Sequence, residues 1–170
     1  MIKLNIQLTE NDYIKFNYWF SRRTLLTINL FYAFLIISML LSTALGLAEK
    51  DKAILPVIAS FILLLLGVYF NIGLYFRSKK IYASDALIQK AYSYTITPEY
   101  VLIESDSSNS IINWSDLHSV VEAKNYFYIF TGRNKALMLP KRLFEGDAAI
   151  AELRQLATAN MPVKKVRVRR

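Results

Sequence analysis

The sequence predicts an α+β membrane protein, in which a two-helix transmembrane hairpin carries a small antiparallel β domain closed by a C-terminal helix. Two apolar runs, residues 24–48 and 53–76, contain no charged side chain. Each is long enough as a helix to cross a hydrocarbon layer of about 30 Å, which needs roughly 20 residues. After residue 90 the hydrophobic period changes from 3.6 to 2, which indicates strands, and one amphipathic stretch near the end indicates a helix.

The segment 1–23 is predicted to form a strand followed by a juxtamembrane helix. Apolar and polar residues alternate from Ile2 to Leu8, which is typical of a half-buried strand. Since a strand needs a partner, this one must pair with the C-terminal part of the chain. Thr9 is the predicted N-cap of a helix that begins at about Glu10, with acidic residues in its first turn, and continues into the membrane.

Charges at the ends of the two runs predict the orientation of the hairpin, residues 24–76. The linker 49–52 is net neutral, whereas the outer flanks are basic, with Arg22 and Arg23 before the first run and Arg77, Lys79 and Lys80 after the second. Basic residues favour the cytoplasmic side. We therefore expect an inner-membrane protein with two spans, both termini in the cytoplasm and the short linker outside.

Small residues predict how the two spans pack. Helices in lipid approach closely where their side chains are small. In the first span these recur every four residues and in the second every seven, and we expect the two faces to meet: Ser38, Ser42 and Gly46 on one side, and Ala53, Ser60 and Gly67 on the other. The same residues could instead form a self-association seam, and the sequence does not separate these alternatives.

The remainder of the chain is predicted as a helical connector, residues 77–90, a β domain, residues 91–158, and a basic tail, residues 159–170. We expect the connector helix to run to about Gln89. Turn signals separate the strands, and their short connections indicate an antiparallel meander curled into one sheet under a helix from Glu145 to Ala157. The tail either is disordered on the anionic inner leaflet or adds an edge strand. The predicted strands are Ala91–Thr97, Tyr100–Glu104, Ser110–Asn113, Leu117–Ala123, Tyr126–Thr131 and Lys135–Leu139.

Four short motifs in this region resemble the YcxB-like family of bacterial membrane proteins. They are Ile112–Leu117, Val120–Glu122, Tyr126–Ile129 and Leu139–Phe144. The resemblance covers roughly residues 90–157, and the order of an N-terminal lead-in, two spans and this domain agrees with it. It implies a C-terminal domain similar to bacterial pleckstrin-homology-like (PH-like) modules, and it implies no particular activity.

Composition disfavours an enzyme. The chain has no cysteine and a single histidine, so one copy cannot supply a clustered His or Cys metal site. We expect no catalytic residue, metal or cofactor. Trp114 is predicted to anchor a strand end with its N–H hydrogen-bonded, or to stack on a ligand. Lys141 and Arg142 are either solvated turn charges or contacts for phosphate and lipid head groups, and Arg77, Lys79 and Lys80 are candidate lipid contacts.

These observations favour a non-enzymatic protein that presents a PH-like binding or scaffold domain at the membrane surface. The alternatives are an immunity or stress protein that neutralises a membrane-acting toxin, and a subunit of a larger membrane complex. Expected partners are anionic lipids, a protein or a second copy of the chain. Nucleic acid is disfavoured, because no basic stripe interleaves with stacking aromatic side chains.

Overall fold

A computed structural model describes residues 1–46, 54–106 and 108–168. The chain forms two compact units. Residues Met1–Asp12 and Asp85–Arg170 make up the first unit, which we call the β domain, and residues Tyr13–Ser84 make up the second, which we call the hairpin unit. The predicted linker 49–52 and Ala53 lie outside the described residues.

Two long helices dominate the middle of the chain, α1 (Glu10–Ala44) and α2 (Ile54–Ser84). Both are long and apolar enough to cross a membrane by length and composition. The predicted start of α1 is confirmed. The Oγ1 atom of Thr9 accepts a hydrogen bond from the Asp12 N–H at 3.2 Å, and the Asp12 carboxylate accepts one from the Thr9 N–H at 2.9 Å. This reciprocal arrangement satisfies amide groups that a helix start leaves unpaired.

The predicted continuous connector to Gln89 is wrong, because α2 ends at Ser84. The carboxylate of Asp85 accepts hydrogen bonds from the backbone N–H groups of Leu87 and Ile88. Asp85 therefore caps a new short helix, α3 (Ala86–Gln89), instead of continuing the old one. This break coincides with the boundary between the two units.

Within the hairpin unit, α1 and α2 run antiparallel. They contact each other at Gly67, where an added Cβ would lie 3.4 Å from the ring of Tyr32. A Cβ at this position would therefore be in ordinary van der Waals contact with the ring. This contact differs from the predicted pairing of small residues, since Ser38 is exposed and an added Cβ on Gly46 would meet nothing within 4 Å. The two other described residues of that pairing differ in burial, with Ser42 half-buried and Ser60 buried.

The first sheet of the β domain has the strand order β1-β2-β3-β4, and all its pairs are antiparallel. Strand β1 pairs with β2 from Ile2 opposite Ile96 to Gln7 opposite Ala91. The prediction that the N-terminal strand pairs with the later part of the chain is therefore confirmed. The strands are β1 (Ile2–Gln7), β2 (Ala91–Ile96), β3 (Tyr100–Ser105) and β4 (Ser108–Asn113).

The second sheet shows that the expectation of one curled sheet was wrong. Its order is β7-β6-β5-β8, and the chain reaches it from the first sheet through a short 3-10 turn, Trp114–Asp116, rather than a hairpin. The tail contributes β8, which pairs parallel with β5, so the edge-strand alternative is confirmed for those two residues. The strands are β5 (Ser119–Glu122), β6 (Tyr126–Phe130), β7 (Ala136–Pro140) and β8 (Val166–Arg167).

The predicted terminal helix is present as α4 (Asp147–Asn160). It begins after Gly146, whose φ of 87° is a conformation that favours glycine. Leu153 and Ala157 on α4 are fully buried in the same core as alternate residues of β1. The core therefore joins the two sheets, α4 and the N-terminal strand. The β1 residues that enter it are Ile2, Leu4 and Ile6.

We predict that the β domain needs β1 but not the hairpin unit. A chain in which residues 13–84 are replaced by a short Gly/Ser linker should fold, because Gln7 and Ala91 are already paired neighbours. Residues 91–170 alone should not fold, since they lack the apolar row of β1. Cooperative thermal unfolding, followed by circular dichroism, is the measurement.

A matched control is Leu4→Asp in the linker-joined chain, which places a charge in the core and should abolish the cooperative transition. A cooperative transition in the 91–170 fragment equal to that of the linker-joined chain would show that β1 is dispensable and the prediction wrong.

Candidate functional site

Two buried carboxylates converge on the basic turn that follows β7. Pro140 ends the strand, and a 3-10 turn, Lys141–Leu143, then directs the two consecutive basic side chains to different acids. The Lys141 ammonium pairs with Glu122, and the Arg142 guanidinium pairs with Asp12. We call this set of four charged residues, together with Tyr126 and Arg154, the carboxylate cluster.

Asp12 is held by three side chains of the β domain. The Arg142 guanidinium donates two parallel hydrogen bonds to its carboxylate, at 2.8 and 2.6 Å. The Tyr126 hydroxyl donates to the same carboxylate at 2.6 Å, and the Thr9 hydroxyl donates at 2.8 Å. The Asp12 side chain is only 3% exposed. A buried carboxylate needs such a set of donors to remain charged.

These contacts shift two pKa values in opposite directions. Burial alone raises the pKa of Asp12, but hydrogen bonds from Arg142, Tyr126 and Thr9 outweigh that effect and hold it well below its ordinary value. Burial raises the pKa of Tyr126 to about 12, and the neighbouring Asp12 charge contributes in the same direction. Asp12 is thus a stable anion and Tyr126 a stable donor at neutral pH.

Glu122 forms the second half of the carboxylate cluster, at the end of β5. Its side chain has no exposed surface. Besides the Lys141 ammonium, it accepts hydrogen bonds from Arg154 on α4, with Nε at 2.9 Å and Nη2 at 2.8 Å. One acid therefore connects the second sheet, the basic turn and the closing helix.

Both residues of the predicted basic site, Lys141 and Arg142, form ion pairs with buried carboxylates. Lys141 is 15% exposed and Arg142 is 49% exposed, and both cations face an internal carboxylate. The turn accordingly does not present two uncompensated charges to an anion. In this arrangement the two cations neutralise buried carboxylates, and their ion pairs connect the turn after β7 to the end of β5 and to Asp12.

Trp114 has the anchoring geometry that the sequence suggested. It is 4% exposed, and its indole N–H donates to the Thr97 carbonyl at 2.9 Å. Because the ring is buried, it offers no face to a ligand at the surface. The remaining candidate lipid contacts, Arg77, Lys79 and Lys80, are exposed near the C-terminal end of α2.

Sequence reasoning missed the acids and Arg154. A usable signal was present for Glu122, because it alternates with the buried Val120 on the inward face of β5. A charged residue on that face requires a buried partner. No comparable pattern marks Asp12, which reads equally well as an ordinary first-turn acid of α1.

Comparison with known proteins agrees with the resemblance noted in the sequence. The family model described as YcxB-like protein matches residues 96–157. This stretch of the chain is therefore similar to the YcxB-like family. It contains Glu122, Lys141, Arg142 and Arg154, whereas Asp12 lies outside the matched residues.

A YcxB-like relative has also been found among curated proteins. A Bacillus subtilis (strain 168) protein with the name "Uncharacterized protein YcxB" is 26% identical over 129 residues, which cover 76% of this chain and 67% of the relative. The similarity therefore extends beyond the matched YcxB-like stretch. No solved structure matches the chain.

We predict that Glu122→Gln destabilises the β domain by about 2–3 kcal/mol, because it leaves Lys141 and Arg154 beside a neutral amide in a buried site. The matched control is Glu152→Gln on α4, whose 42% exposed carboxylate pairs with the N-terminal amine. This exposed pair should contribute less than about 1 kcal/mol. Urea unfolding of the full chain in mild detergent, followed by near-ultraviolet circular dichroism, measures both. Equal effects would contradict the prediction.

A second prediction concerns acid. Because the folded pKa of Asp12 lies below its unfolded value, its ion pair stabilises the fold above about pH 4 and loses that effect as the pH falls further. Asp12→Asn should therefore unfold at a lower temperature than the parent at neutral pH, and this difference in unfolding temperature should become smaller towards acid pH. Thermal unfolding of both proteins across a pH series measures the difference. A difference that does not depend on pH would rule out this role of Asp12.

Proposed function

We propose that this chain is a non-enzymatic, membrane-anchored binding or scaffold protein. The hairpin unit crosses the inner membrane twice, and the β domain is a PH-like module on the cytoplasmic side that recognises a protein or an anionic head group. No comparison assigns the chain an activity, so this proposal is based on its geometry and on the charge distribution along the sequence.

The observation that carries the proposal is the distribution of exposed apolar side chains. All but four of the large apolar residues that the described part of the chain exposes belong to the hairpin unit. Soluble monomers usually expose far less apolar surface than this. A hydrocarbon layer is the environment that two helices of this composition fit. The four exceptions are Met1, Leu87, Ile111 and Val163.

The strand pairing supports the proposed orientation. Since β1 and β2 are antiparallel neighbours, the chain leaves the first sheet after Gln7 and returns to it before Ala91 at the same end. Both connections to the hairpin unit therefore start from one place. A hairpin with an even number of spans returns the chain to the side from which it left, and the basic flanks favour the cytoplasm for that side.

The architecture of the β domain supports the PH-like part of the proposal. Two sheets, antiparallel apart from the β5–β8 pair, meet at one core, and a C-terminal helix, α4, closes it. A module of this kind binds through its surfaces and loops while the core only holds the shape. The carboxylate cluster fits such a role, because it stabilises the domain without placing a reactive group at the surface.

The absence of cysteine allows a direct test of orientation. We predict that a membrane-impermeant maleimide labels Lys50→Cys but not Val163→Cys in intact spheroplasts. Val163 is 83% exposed in the β domain, so lysis should make it reactive. The cysteine-free parent is the blank, and resistance of the chain to carbonate extraction reports membrane insertion. Labelling of both positions before lysis, or of Val163→Cys alone, would refute the orientation, and extraction by carbonate would refute the anchor.

A further inference from the structure

A groove lies between α1 and α2 on the surface of the hairpin unit. Its volume is about 440 Å³, and its lining is apolar apart from the polar groups of Asn29, Asn71 and Tyr32. Ala33 and Ile36 form the α1 side, and the residues of the α2 side are centred on Gly67. The groove therefore combines an apolar floor with two amide side chains near one end.

The two asparagines differ in how they are paired. The Asn71 amide donates to the Gly67 carbonyl at 2.7 Å and to Asn29 Oδ1 at 3.2 Å. The Tyr18 hydroxyl donates to the Asn71 backbone carbonyl at 2.6 Å. Asn29 only accepts: its own amide N–H groups donate to no atom of the described part of the chain, and its side chain is exposed.

Within a membrane this position of Asn29 is costly. Asn29 belongs to the uncharged run 24–48, six residues after Arg23, so under the proposed function its amide group lies in the cytoplasmic half of the membrane. A polar group that has no partner in hydrocarbon loses the hydrogen bonds it would make in water. A lipid tail could fill the groove, but it offers no acceptor to the Asn29 amide. A second protein helix can supply one.

We propose that the groove face of the hairpin unit is a two-fold interface between two copies of this chain, in which the Asn29 side chains of the two copies hydrogen-bond to each other. Copies inserted in the same direction are related by an axis along the membrane normal, so each residue meets its own equivalent at the same depth. Asn29 of one copy therefore lies opposite Asn29 of the other.

The chemistry of the amide agrees with this symmetry. A carboxamide carries both donors and an acceptor with two lone pairs. Asn29 Oδ1 accepts one hydrogen bond from Asn71 and retains capacity for another, while its N–H groups are available. Two such groups can exchange hydrogen bonds across the axis. Ala33, one turn further along the groove, has a small side chain that allows the backbones to approach.

Cysteine crosslinking in membranes tests this interface. Ala33→Cys lies on the groove face. Ser38→Cys is the matched control, because Ser38 is exposed and lies on the opposite side of α1, about 180° from Asn29. On oxidation with copper phenanthroline, Ala33→Cys should give several-fold more disulfide-linked dimer than Ser38→Cys. In the Ala33→Cys background, Asn29→Leu should reduce the dimer several-fold, and Asn29→Gln should restore most of it.

Two outcomes would overturn the inference. Equal crosslinking at Ala33→Cys and Ser38→Cys would indicate random collision, and an Ala33→Cys dimer that Asn29→Leu leaves unchanged would show that the amide does not hold the interface. Because the inference rests on membrane insertion, carbonate resistance of every variant is measured first. Inserted protein without the Ala33→Cys dimer refutes the interface alone, whereas extractable parent protein refutes the proposed function and the interface with it.

Discussion

The pairing of β1 with β2 is the constraint on which the rest of the structure depends. Residues 2–7 and 91–96 form neighbouring strands although the whole hairpin unit lies between them in sequence. The Gln7 side-chain amide also donates to the Gln89 carbonyl at 3.2 Å, which reinforces the same junction. An insert between adjacent antiparallel strands must begin and end close together. A pair of antiparallel helices meets this requirement, and a single long helix would not.

The buried charges strengthen the same junction. Asp12 lies in the first turn of α1, immediately after the residues that leave β1, and its carboxylate joins that turn to Arg142 and Tyr126. A buried carboxylate stripped of its partners would be strongly unfavourable, so Asp12 has one well-defined position within the β domain. This explains why a Lys-Arg pair that looks like an anion site in the sequence is turned inward: each cation compensates an acid that the fold has removed from water.

Local pattern predicted the elements well and their long-range partners poorly. All six strands predicted between residues 91 and 139 begin and end within two residues of those observed, because side-chain alternation and turn residues act over short distances. The division into two sheets depends on which strands pair, and the break at Asp85 depends on one carboxylate that competes with the helix. The ion pairs of Asp12 with Arg142 and of Glu122 with Arg154 join residues that are distant in sequence. The periodicity of a local segment does not indicate which acid pairs with which cation.

The two units provide partners for their polar side chains in different ways. The β domain buries acids and surrounds them with several donors, so each charge is compensated within the unit. The hairpin unit carries no charge between residues 24 and 46 or between residues 54 and 76, and some of its polar side chains bond to backbone carbonyls of their own helices, as Thr43 does to Met39 and Asn71 to Gly67. Such local pairing is what a helix in hydrocarbon requires. Asn29 departs from it, since its amide N–H groups find no partner in the described part of the chain, and the proposed contact between two copies would supply that partner.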